Sequence, residues 1–231
     1  MIEMQPTLRR YTNMKKEKKM RIVYVDGFKV RQTRDIDFGT INWRATEGFA
    51  PTWYIPEGEV WIDRRLKDET AFLLAVDAAE ISLDRSGIEP RRARALLRKR
   101  FCTKPRPPLD TFTEKKYRKY GFLVRELNGS VIRTTIDPLF IIGGHTEVYP
   151  YVPKGEIWLD SKMDPKELPY HLIHEAVECR LMARGIAYDP AHEYATAADK
   201  EVRRQHGLTF NGDEDARNSG SAFADFILRL R

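Results

Sequence analysis

Five side chains in the C-terminal half of the chain have the types and spacing of a metal site. His171, His174, Glu175 and Glu178 fall at i, i+3, i+4 and i+7, so a helix places them on one face. Ile173, Ala176, Val177 and Leu181 form an adjacent apolar stripe. Titratable groups beside a core face are costly to bury unless they are paired or coordinated. A histidine and a ligand four residues on can grip one ion from successive turns. A glutamate at i+1 then lies beside the ion, placed to take a proton from a water bound there. The assignment is His174 and Glu178 as ligands, His192 as third ligand and Glu175 as general base. His171 or His145 can replace or support one of these.

This chemistry needs two helices held side by side. The spacing predicts one over 165–184 and a second over 190–205. Asp164 is a plausible N-cap for the first, with Pro165 and Glu167 completing a capping-box-like start, although Pro169 moves the regular helix toward itself. Gly185 ends that helix, and Asp189-Pro190 repeats the cap-then-proline signal. A connection this short makes the helices antiparallel neighbours and lets His192 swing back toward the cluster. The competing reading is a polar seam in which the same face pairs with Arg180 and Arg184.

The chain also repeats itself. Tyr54, Pro56, Gly58, Glu59, Trp61 and Asp63 recur at one constant offset as Tyr151, Pro153, Gly155, Glu156, Trp158 and Asp160. With a one-residue slip the register continues: Asp77 and Glu80 fall on Glu175 and Glu178, Leu83 on Leu181, Gly87 on Gly185. Where the second copy has His171, His174 and His192, the first has Leu73, Val76 and Arg94. Asp26-Gly27 and Asn128-Gly129 read as hairpin turns within 21–31 and 121–135. The expected architecture is α+β, with two tandem homologous small domains, each a β-hairpin or short sheet followed by two helices. The division is a basic tail (1–20), a first copy without a site (21–102), a basic Pro-containing linker (103–119), a second copy with the metal site (120–206), and a polar stretch (207–231). That stretch ends in a docking helix, Ala222–Leu230, with Phe223, Phe226, Ile227 and Leu230 at helical spacing.

A strand reading Gly155-Glu-Ile-Trp-Leu-Asp160, a short gap and a helix reading Leu168-Pro-Tyr-His-Leu-Ile-His174-Glu175-Ala-Val-Glu178 resemble the minimal zincin-like metallopeptidases of the ImmA/IrrE type. The continuation to Ala191-His192 is similar to uncharacterised phage and prokaryotic proteins. The resemblance implies a zinc-dependent peptidase or its non-catalytic descendant, with a peptide or protein as substrate. The chain departs from His-Glu-x-x-His at its last position, where Glu178 stands. Carboxylate ligates zinc, and Mn²⁺ becomes more competitive.

Composition narrows the alternatives. The formal net charge of +6 is concentrated in residues 1–21 and in the stretch from Lys104 to Lys119. Aromatics are interleaved there, so the second functional class is a non-catalytic binding protein, of viral origin on one reading, touching nucleic acid or an acidic partner through tail and linker. Cys102 and Cys179 are the only cysteines, which excludes a Cys-rich zinc site. No P-loop, dinucleotide fingerprint or Gly-x-Ser-x-Gly occurs. No apolar run approaches about 18 residues, so no membrane helix is expected. The expected location is the cytoplasm of a prokaryote or virus-infected host.

Overall fold

The computed structural model describes residues 20–43 and 54–208. The basic tail and the proposed helix at 222–230 lie outside the described residues. The class is α+β, with six α-helices and two small mixed sheets among the described residues.

The first half runs β1 (Arg21–Val25), α1 (Gly27–Thr33), β2 (Ile41–Trp43), β3 (Glu59–Asp63), α2 (Thr70–Arg85) and α3 (Pro90–Phe101). The second adds a strand and then repeats that succession: β4 (Thr113–Lys119), β5 (Phe122–Leu127), α4 (Gly129–Thr135), β6 (Gly143–His145), β7 (Glu156–Asp160), α5 (Leu168–Met182) and α6 (Tyr188–Gln205). The sheet orders are β1-β3-β2 and β4-β5-β7-β6. β1 lies parallel to β3 and β5 parallel to β7, whereas β2 and β6 are antiparallel to those same partners.

The expected hairpins at Asp26-Gly27 and Asn128-Gly129 are corrected by this pairing. Both dipeptides open helices. Asp26 accepts a hydrogen bond from the backbone N–H of Lys29, and Asn128 from that of Ser130. The glycines are needed for close approach: a Cβ at Gly27 would meet Asp63 Oδ2 at 1.9 Å, and one at Gly129 would meet Asp160 Oδ2 at 2.0 Å. An Asx-Gly pair suits a tight turn or a helix start equally well, and the carboxylate waiting at the end of the parallel strand selects the helix. The true hairpin joins β4 to β5 at Tyr120-Gly121, both with positive φ. β4 therefore occupies residues 113–119, which the sequence reading placed in the linker.

Each half buries an arginine in the same way. Arg31 reaches Asp63 Oδ2 at 3.3 Å and donates to the carbonyl of Phe38; Arg133 reaches Asp160 Oδ2 at 2.8 Å and donates to the carbonyl of Phe140. Each arginine also crosses to the other half. Arg133 grips Glu69 through Nε and Nη2 at 2.8 and 2.9 Å, and Arg31 Nε pairs with Glu167 Oε1 at 3.2 Å. Both guanidiniums are buried, and each carboxylate finds a second cation, Lys162 for Glu69 and Arg203 for Glu167. This reciprocal exchange fixes how the halves sit on one another.

In the second half, α5 lies between sheet and helix. Leu172, Ala176 and Cys179 pack on Val124, Ile157 and Leu159. On its other side Ile173, Val177 and Leu181 meet Ala191, Ala195 and Ala198 of α6. Three alanines at helical spacing let the helix axes approach closely, which brings His192 to the face carrying His174 and Glu178.

Candidate metal centre

Pro169 sets the start of α5, which begins at Leu168 rather than at 165; Asp164 caps the preceding turn through the N–H of Lys166. α6 starts at Tyr188, so Asp189 sits in its first turn instead of capping it. Neither shift moves the site residues off their faces. His174 Nε2, Glu178 Oε2 and His192 Nδ1 converge, with separations of 3.2 Å between the histidines, 2.8 Å from His192 to Glu178 and 3.6 Å from His174 to Glu178. Ligands about 2.0–2.1 Å from one tetrahedral ion are about 3.3 Å apart. The three atoms thus already form a triangle of the size one ion requires. His174 and Glu178 are largely buried, with side chains 12% and 4% exposed, and His192 is open at 30%. These three residues make up one group able to hold a metal ion.

His145, Glu175 and Glu178 form a second group of suitable size. Hydrogen bonding decides against His145 as a ligand there. The N–H of Glu147 donates to His145 Nδ1 at 3.3 Å, so Nδ1 carries the lone pair and Nε2 the proton. That proton goes to Glu178 Oε1, 2.9 Å away. His145 therefore holds the carboxylate by one oxygen and leaves the other facing the two histidines, an outer support of the kind that orients metal ligands.

Charge inside the cluster is uneven. Burial opposes ionisation of Glu178, yet hydrogen bonds from His145, His174 and His192 hold its carboxyl far below the usual range. Burial and the neighbouring Glu178 push Glu175 well above it. His192 rises to about 10, through its contacts with Asp37 and then Glu178, against burial. A divalent cation among these groups would favour ionised carboxylates and displace the Nδ1 proton. Glu175 lies over the edge strand β6: a Cβ at Gly143 would sit 3.2 Å from Glu175 Oε1.

His171 does not join either group. Its ring is buried beside Glu167, with Nε2 3.4 Å from Glu167 Oε2, and burial together with Arg31 lowers its pKa well below the ordinary value. His171 therefore belongs to the joint between the halves. Two residues that sequence reasoning missed stand at the site. The ring of Tyr188 stacks on His192 at 5.4 Å, and Asp37 Oδ1, from the first half, lies 3.5 Å from His192 Nε2. Tyr188 sits one turn before His192, a spacing that could have flagged it; nothing in the chain's linear spacing signals Asp37. Cys179, on the sheet side of α5, has its thiol pushed up to about 12 by burial and nearby carboxylates, which removes it as a nucleophile.

Fold and site together define an α+β chain with a buried His/Glu cluster able to hold a metal ion. No family model, curated protein or solved structure matches it. Among the described residues, no helix is long and apolar enough to cross a membrane.

Proposed function

We propose that the chain is a metal-dependent hydrolase, with a zincin-like peptidase as the best-supported class. The observation that carries this reading is the triangle of His174 Nε2, Glu178 Oε2 and His192 Nδ1, all within 3.6 Å of one another. Two imidazoles and one carboxylate suit Zn²⁺ first and Mn²⁺ second. Bound there, the ion would supply Lewis acidity and lower the pKa of a water. Glu175 follows His174 directly and borders β6; once ionised it can take up the proton. β6 lies at the edge of its sheet, the position where an extended peptide can add as a further strand.

The test is metal analysis of the purified full-length chain, followed by zinc titration and a peptide-library cleavage assay. One zinc per chain is expected, lost in H174A. Glu175→Gln should keep the metal and lose cleavage. Absence of stoichiometric binding of Zn²⁺ or Mn²⁺ would overturn the reading.

A second reading has its own observation. α3 exposes Arg91, Arg92, Lys99 and Arg100, and the edge strand β4 exposes Lys116 and Arg118. Such a surface suits a nucleic-acid backbone. Binding that weakens steeply with salt and ignores chelators would favour it.

A further inference from the structure

We propose that Asp37, in the first half, is the positioning residue that sets the tautomer of His192 in the second. The inference rests on the metal reading and adds what the ligand set alone does not contain. His192 uses its two nitrogens differently. Nδ1 is inside the donor triangle, 2.8 Å from Glu178 Oε2 and 3.2 Å from His174 Nε2. Nε2 points the other way, to Asp37 Oδ1 at 3.5 Å. An imidazole can offer a lone pair at Nδ1 only if its proton sits on Nε2. A carboxylate facing Nε2 stabilises that proton and raises the basicity of the opposite nitrogen.

Asp37 is held for this role by a braced turn. Its own N–H donates to Asp35 Oδ1 at 3.0 Å, and Tyr54 donates to Asp35 Oδ2 at 2.8 Å. The second half builds the same turn, with the N–H of Leu139 donating to Asp137 Oδ1 at 3.1 Å. There a leucine stands where Asp37 would be. The first half thus completes a site whose metal ligands all lie in the second. His145 and Asp37 become two outer supports of one centre, the first aligning Glu178 and the second His192.

The test is a competition titration of full-length wild type, D37A, D37N and D37E with Zn²⁺ against a chromophoric chelator. It is paired with long-range ¹H–¹⁵N spectra of the zinc-loaded histidines. Expected is a 10–100-fold weaker affinity in D37A, a smaller loss in D37N and recovery in D37E. The spectra of wild type should place the His192 proton on Nε2. Far-UV circular dichroism of the metal-free proteins should coincide, because Asp37 is half exposed and its loss leaves the fold intact. Wild-type affinity in D37A, or a His192 proton on Nδ1, overturns this inference and leaves the metal reading standing. Failure of wild type itself to bind Zn²⁺ overturns both.

Discussion

The two halves solve one packing problem with different chemistry. Where α6 of the second half reaches across with His192 toward Asp37, α3 of the first half reaches across with Arg94 toward Asp137, at 2.7 Å. Arg98 adds a second cation to Asp137 at 3.4 Å. On the preceding helix, Leu73 and Val76 are buried, and Leu73 joins a core cluster, at the positions of His171 and His174. The first half thus has a guanidinium fixed at the end of a side chain where the second has an imidazole that can give up its Nδ1 proton to a metal. A joint between halves that already places a basic residue opposite an acidic turn needs few substitutions to become a site.

The comparison breaks most sharply at the carboxylates. Glu178→Ala is expected to bring zinc binding below detection in a chelator titration, because it removes a ligand and leaves His145 and His192 without their acceptor. Glu80→Ala, its counterpart in the first half, should leave zinc binding unchanged. Equal affinity in E178A and wild type would dissolve the distinction between the halves.

Much of this contrast was legible in the chain. The repeated Gly-Glu-x-Trp-x-Asp strand, the helix periodicity and two of the three unmatched histidines, His174 and His192, pointed to the group able to hold a metal, because strand and helix signals are local. What was hidden depended on contacts across the sequence. Asp26-Gly27 and Asn128-Gly129 looked like hairpin turns until Asp63 and Asp160 were placed beneath them. His171 looked like a ligand until Arg31 and Glu167 claimed its surroundings. Asp37 carried no signal, since its partner lies in the other half.

The joint itself gives the next largest effect. Arg133 is fully buried against Glu69 and Asp160. Arg133→Ala strands both carboxylates, and chemical denaturation should show a loss of about 3–5 kcal/mol. The same pair predicts an acid limb. Burial opposes its ionisation, but Arg133, Ser130 and Lys162 lower the Glu69 pKa to about 2. A depressed folded-state value means the contribution is present above the unfolded pKa of about 4.5 and is lost as pH falls toward about 2. In Glu69→Gln that part of the stability–pH profile should flatten.

A smaller effect separates ligand from support. His145→Ala removes the donor to Glu178 Oε1 without touching the donor triangle. Zinc affinity should fall about 10–100-fold, less than in H174A. A loss as complete as in H174A would mean that His145 is itself a ligand.

The smallest effect returns to the first half, in which no group able to hold a metal is found among the described residues. Burial and the neighbouring Asp77 raise the pKa of Glu80, while Arg94 lowers it. A raised folded-state value for an acid means that ionisation at neutral pH works against folding, so stability declines as pH rises through it. Glu80→Gln removes that burden. Because the side chain still reaches solvent, the gain should be a few tenths of a kcal/mol in denaturant unfolding at pH 7, disappearing near pH 4. Glu178→Gln should instead lose metal, since an amide oxygen is a poorer ligand than a carboxylate. Opposite outcomes from one substitution at equivalent positions would show that the carboxylate in the first half serves no metal, while its counterpart is tied to one.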